Sequence, residues 1–70
     1  MNAAVEQQKD VTRDGFADVE ESSKFLAMSR ASVYKLMEAG KLPFAKFGKS
    51  RRIPWRALRE YAAGCLVGAR

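Results

Sequence analysis

The 70-residue chain contains no histidine and a single cysteine, Cys65. Without imidazole or a second thiol it has no zinc-finger ligand set, no haem-attachment motif and no disulfide framework. The same shortage removes the usual base for a serine nucleophile, which argues against acyl-transfer chemistry. A lone thiol suits a reducing compartment. No apolar run approaches the roughly 18 residues of a membrane span, and the N-terminus lacks a basic segment followed by an apolar one. These absences predict a cytoplasmic protein with no metal, no cofactor and no enzymatic activity. Acids are scarce in one half only. Residues 30–70 carry ten Lys or Arg against Glu38 and Glu60, a balance of +8, whereas residues 1–29 carry three against six acids, a balance of −3.

A chain this short buries only about 60% of the surface its unfolded form exposes, so one small domain with a thin core is expected. The basic half attracts polyanions, of which nucleic acid is the commonest in a cytosol. A solvated basic surface kept for solubility is the plain alternative.

Residues 1–14 are polar and without a sustained period, which predicts a flexible N-terminal tail with order beginning near Gly15–Phe16. "DVEESSKFLAMS" then reads as a short helix. Asp18 is its N-cap and Glu21, three on, completes a capping box. Val19, Ser22, Ser23 and Leu26 share a face, and the two serines fit a close crossing by another helix. "SRASVYKLMEAG" is a second helix with Ser29 as N-cap, an inward stripe of Val33, Leu36 and Met37, and Gly40 as a left-handed C-terminal cap. Ala31 and Lys35 point outward from that stripe, flanked by Ser32 and Tyr34. Only "AMS" separates the two helices, as in a helix-turn-helix.

Leu42-Pro43 breaks the helical period. Phe44–Phe47 and Arg51–Pro54 read as strands about a Gly48 turn, with Phe47 and Ile53 as inward anchors and Lys46, Lys49, Arg51 and Arg52 outside or at the tip. Pro54 can open a third helix, since a first-turn residue does not need its N–H. Trp55, Leu58, Ala62, Cys65 and Leu66 would form its inner face, with fraying after Gly64 and residues 67–70 as a tail. Met28, Met37, Phe44 and Trp55 read as core, and Cys65 as a small buried filler. The expected architecture is a small α+β winged helix-turn-helix, in the order helix, helix, β-hairpin, helix, over residues 15–66.

"FGKSRRIPW", residues 47–55, contains a GKS that invites a nucleotide-binding reading. A phosphate-binding loop needs G-x-x-x-x-G-K-S between a strand and a helix. With Gly48 as the second glycine, the first position falls on Pro43, which has no N–H, and the chain after Ser50 returns to strand. The nucleotide reading fails. Glu20 and Glu21 are adjacent carboxylates, but helical neighbours diverge by about 100° and cannot serve as an acid–base pair.

DNA binding uses what is present. The second helix offers free N–H groups and a positive dipole to a phosphate beside Ser29, with Arg30 extending from the same turn. Ala31 is small enough to lie against a thymine methyl, while Ser32, Tyr34 and Lys35 can reach base edges or backbone. The hairpin supplies Lys46, Lys49, Ser50, Arg51 and Arg52 for phosphates or an adjacent minor groove. Plainer roles stand beside these. Ser29 caps its helix with or without DNA, Tyr34 can instead pack on the hairpin, and Arg56, Arg59 and Glu60 can simply solvate the last helix.

The ordered set Ser29-Arg30-Ala31-Ser32-Val33-Tyr34-Lys35, Gly40, Leu42-Pro43, Lys46, Gly48, Arg52-Ile53 and Leu58 resembles the excisionase-type, or AlpA-like, helix-turn-helix DNA-binding domains, relatives of the MerR-type winged helix. The likeness spans residues 18–61. It departs from the family pattern at Ser22 and Ser23, where alanines are usual, at Ala27, where glycine is frequent, and at Trp55, where a polar residue is commoner. The resemblance implies a second helix in the major groove and a wing on the flanking backbone or minor groove. It also implies a non-catalytic protein that binds and bends attachment-site DNA and helps a partner integrase excise a mobile element or prophage. A small transcriptional regulator using the same contacts at a promoter is the alternative, and a basic protein-interaction module is a third reading. With no long dimerisation helix in the sequence, a monomer in solution is expected, with cooperative binding to tandem sites as an option on DNA.

Overall fold

A computed structural model describes residues 12–68. The expected tail, residues 1–14, lies mainly outside them. Within them, residues 12–14 form a turn in which the Gly15 N–H donates to the Thr12 carbonyl at 3.1 Å. The elements are β1 (Phe16–Ala17), α1 (Val19–Leu26), α2 (Arg30–Glu38), β2 (Ala45–Phe47), β3 (Ser50–Pro54) and α3 (Trp55–Gly64). This is the helix, helix, hairpin, helix order read from the sequence, with one short strand added in front.

The start of α1 is fixed locally. Asp18 accepts the Glu21 N–H at 2.7 Å and the Glu21 carboxylate accepts the Asp18 N–H at 3.0 Å, closing the capping box. Such a cap stabilises a helix by about 1 kcal/mol. Val19 and Ser22 turn inward, and Ser22 is fully buried. Its hydroxyl donates to the Asp18 carbonyl at 2.8 Å, an oxygen that already accepts the Ser22 N–H at 2.9 Å. Removing the hydroxyl therefore orphans no buried polar atom. Ser22→Ala is expected to change stability by no more than about 0.5 kcal/mol in either direction, read from denaturant melts. A loss above about 1.5 kcal/mol would show that the hydroxyl has a role beyond its own helix.

Between α1 and α2 the backbone reverses through Ala27, at φ 56° and ψ 45°. Its N–H donates to the Lys24 carbonyl at 3.2 Å, and the next one, of Met28, donates to Ser23 at 3.0 Å. The left-handed conformation costs a residue with a Cβ about 1–2 kcal/mol. Ala27→Gly should recover part of that, offset by the freedom glycine adds to the unfolded chain. The expected net gain is about 0.5–1 kcal/mol, or a few degrees in Tm. An unmoved or lowered Tm would mean that contacts of the Ala27 methyl outweigh the backbone strain.

Ser29 caps α2, accepting the Ser32 N–H at 3.1 Å. Val33 and Met37 are buried and Leu36 is half-buried against the core, as the sequence stripe requires. Gly40, at φ +75°, takes the left-handed position that ends the helix. The Lys41 N–H then bonds the Leu36 carbonyl at 3.0 Å, which turns the fully buried Leu42 back into the core.

The sheet is antiparallel in the order β1-β3-β2. Phe16 pairs with Pro54 and Ala17 with Ile53 on one side of β3; Ala45 pairs with Arg52, Lys46 with Arg51 and Phe47 with Ser50 on the other. Two residues, Gly48 and Lys49, join β2 to β3. Gly48 alone of the two has positive φ, +63°, the sign pattern of a type II′ hairpin turn. This register corrects one sequence expectation. Side chains alternate across a strand, so Phe47, opposite Ser50, lies on the other face from Ile53. Ile53 is fully buried, but Phe47 is 56% exposed and meets Phe16 edge-on at 5.5 Å. It is not an inward anchor.

Pro54 ends β3 and immediately precedes α3, whose first N–H, of Trp55, donates to the Gly15 carbonyl at 3.1 Å. Ala57 and Leu58 are buried, and Trp55 packs edge-on against Phe25 at 5.9 Å. Met28, Phe44 and Trp55 are half-buried against the core and Met37 is within it. The inner stripe of α3 stops earlier than expected. The helix ends at Gly64, so Cys65 and Leu66 leave its face and are exposed. Cys65 is thus not a buried filler. It holds the Tyr61 phenol above its ordinary pKa, chiefly through a side-chain hydrogen bond, with burial adding to the effect. Among the described residues, no helix is long and apolar enough to cross a membrane.

Candidate nucleic-acid interface

The capped start of α2 presents Ser29, Arg30 and Ala31 to solvent, with Lys35 exposed one turn further on. Ser32 is half-buried. The Ser29 hydroxyl donates to the Ser32 hydroxyl at 3.0 Å while accepting its N–H, so the two serines are oriented by each other. Tyr34 is 41% exposed and leans towards the hairpin. The structure thus supports the packing role for its ring while leaving part of it open to solvent.

The β2–β3 hairpin forms the wing. Lys46, Lys49 and Ser50 are exposed, and Arg51 and Arg52 are half-buried. Arg52 folds back so that Nη1 donates to the Arg51 carbonyl at 3.0 Å. Arg51 reaches across to α2. Its Nη1 meets Glu38 Oε2 at 2.9 Å, and its guanidinium lies over the rings of Phe44 and Tyr34 at 4.8 and 5.4 Å.

Arg30 and Tyr34 of α2, Lys49–Arg52 of the wing and Asp18–Glu20 at the start of α1 line one shallow concavity. The fold therefore gathers six of the eleven sequence-predicted residues there. Ser29, Ala31, Ser32, Lys35 and Lys46 lie outside it. Sequence reasoning missed Asp18–Glu20 as part of this surface and Glu38 as the partner of Arg51. The box at Asp18 was visible as a cap, but its proximity to the wing arises from tertiary packing and had no local signal.

Charge compensation separates the cations into two groups. Lys24 pairs with Glu20, Arg51 with Glu38, Arg56 with Glu60 and Arg59 with Asp14. Asp18 and Glu21 are occupied by the capping box. These are all the acids among the described residues. Arg30, Lys35, Lys41, Lys46 and Lys49 form no ion pair there, and Arg52 bonds only a neutral carbonyl. The uncompensated charge thus falls on α2, on the turn that follows it and on the wing. Unpaired cations on a protruding helix and hairpin can displace counterions from a phosphate backbone at little internal cost.

Comparison with known proteins agrees with this geometry. Residues 18–66 match a family described as a helix-turn-helix domain. Over 45 residues the chain is 40% identical to a protein of Saccharopolyspora erythraea named a probable excisionase, covering 64% of this chain and 46% of that one. The chain therefore spans about half the length of that curated relative. No solved structure matches. The family is a DNA-binding one and not a known enzyme family. With α1, the Ala27 turn and α2 forming the helix pair that the matched segment describes, the chain belongs to the excisionase-type helix-turn-helix family of DNA-binding domains.

Proposed function

We propose that the protein is a sequence-specific double-stranded DNA-binding factor of the excisionase kind. It binds and bends attachment-site DNA and so assists an integrase in excising a mobile element or prophage. The α2 helix enters the major groove, with Arg30, Ala31, Ser32, Tyr34 and Lys35 towards base edges and Ser29 at the backbone. The wing follows the flanking phosphates through Lys46, Lys49, Ser50 and Arg52, and DNA bent towards it gains contacts that offset its deformation. The observation that carries the reading is the placement of the unpaired cations on α2, the turn after it and the wing. The excisionase role is supported by the name of the relative. The protein acts in the cytoplasm as a monomer, and copies meet on tandem sites.

The test is a titration on genomic fragments against random competitor DNA, followed by footprinting and an excision assay with the element's own integrase. A competitor-resistant footprint beside an attachment site, with excision stimulated, is the expected result. A footprint at a promoter with excision unaffected would replace this role with transcriptional control. Binding that vanishes with modest salt and leaves no footprint would sink both, leaving the basic face as a dock for an acidic protein.

Residues 15–66 are proposed as the DNA-binding unit. Deleting residues 1–14 removes the Asp14 partner of Arg59, an exposed pair worth at most about 1 kcal/mol. The truncated protein should keep a single cooperative melt, and a loss of cooperativity would place residues 12–14 inside the folding unit.

A further inference from the structure

We infer that Arg51 is a positioning residue, which sets the angle of the wing against the recognition helix, rather than a phosphate contact. This rests on the assignment of α2 and the hairpin as DNA-reading elements, but the clamp itself can be tested without DNA.

Strand alternation puts Arg51 on the same face of β3 as the fully buried Ile53, whereas Arg52 is on the opposite one. Its side chain is only 26% exposed. Two of its partners, Tyr34 and Glu38, stand one turn apart on the same side of α2, and the third, Phe44, lies just before β2. A planar guanidinium can stack on two rings while donating in its own plane to a carboxylate. That geometry ties β3 to α2 at a point between the core and the hairpin tip. It also neutralises the charge. A phosphate at Arg51 would have to approach Glu38, whose carboxylate repels it, whereas Lys49 has no acidic partner among the described residues. The consequence is a wing pre-set relative to α2, which favours sites where both elements engage in register over DNA held by charge alone.

The experiment compares the wild type with Arg51→Gln, Arg51→Lys, Glu38→Gln and Lys49→Ala on the footprinted site and on random duplex, across a salt series. Arg51→Gln and Glu38→Gln should each weaken specific binding about 5–30-fold through lost preorganisation, with random-duplex binding and the salt slope nearly unchanged. Glu38→Gln is the sharper arm, because removing an acid would by charge alone tighten binding. Arg51→Lys should not rescue, since an ammonium cannot stack as the guanidinium does. Lys49→Ala should flatten the salt slope by about 0.9, the signature of one lost phosphate contact. The inference is overturned if Arg51→Gln flattens the slope as Lys49→Ala does, if Arg51→Lys restores binding, or if Glu38→Gln tightens it.

A second arm uses the free protein. Residual dipolar couplings of the hairpin amides, referred to those of α2, should change in Arg51→Gln and in Glu38→Gln. Unchanged couplings would overturn the clamp. Absence of specific binding by the wild type would overturn the function proposed above, and the couplings would still decide the role of Arg51. If Arg51→Gln does not fold, Glu38→Gln, altered at an exposed carboxylate, carries both readouts.

Discussion

Replacing Ile53 by alanine is expected to remove a large share of the domain's stability. Ile53 is fully buried on β3, the central strand, and pairs with Ala17 of β1. It contacts a core built from every element except β2: Ala17, Val19, Val33, Met37, Leu42, Ala57 and Leu58 complete the buried set. Truncating a buried isoleucine to alanine typically costs about 2–5 kcal/mol, more where neighbours cannot collapse into the space. A domain of this size has a total stability of only about 3–8 kcal/mol. The variant should therefore melt at least about 8 °C lower, and more if the cavity stays open. Phe47→Ala is the informative companion. Phe47 is the larger side chain, yet it is mostly exposed and its main partner is the edge of Phe16, so its loss should cost about 1 kcal/mol. Thermal melts followed by far-UV circular dichroism rank the pair. A larger drop for Phe47 than for Ile53 would mean that the hairpin register is wrong by one residue, since a one-residue slip exchanges the two faces.

That contrast also shows where the sequence was readable. Asp18 with Glu21, Ser29, and Gly40 after Met37 are local signals, each needing only three or four neighbouring residues to act. The start of α1 and both ends of α2 followed from them, whereas the winged order also needed the Leu42-Pro43 break, the Gly48 turn and Pro54. Phe47 was misplaced because an apolar residue in a strand marks a buried face only once the register is known, and the Gly48 turn fixes that register at Phe47 opposite Ser50. Cys65 and Leu66 continued a helical period that the chain abandons at Gly64. Periodicity reports which residues would share a face, not whether anything lies opposite it. The two-residue β1 had no legible signal, since its strand identity comes wholly from pairing with β3, some forty residues away along the chain.

The interface was legible as a set of residue types and not as a charge map. In the sequence Arg51 belongs to the same cluster as Lys49 and Arg52. Only the fold shows that Glu38 compensates one of the three. Three acids of the first half, Asp18, Glu20 and Glu21, are likewise taken up by capping and pairing at α1, and a fourth, Asp14, by Arg59 of α3. Apart from the Arg51–Glu38 pair, the cations of α2 and the wing thus face a polyanion uncompensated among the described residues.

Lys35→Ala should then lower affinity for the specific site about 10–100-fold while affecting random duplex much less. Lys35 is exposed, has no ion-pair partner among the described residues and stands one turn after Ala31 on the outward side of α2. From there an ammonium can reach acceptors on a major-groove base edge, a contact worth about 1–3 kcal/mol of discrimination when well made. Lys49, at the hairpin tip beside Gly48, has the opposite expectation. A phosphate contact carries no sequence information, so Lys49→Ala should weaken specific and random binding by a similar factor. The two losses should add in the double variant, because the residues share no partner. Titrations on both duplexes at several salt concentrations separate them. If Lys35→Ala leaves the specific-to-random ratio intact and instead flattens the salt slope, Lys35 touches backbone. The reading of bases would then pass to the Arg30–Tyr34 side of α2, the side that already shares its concavity with the wing.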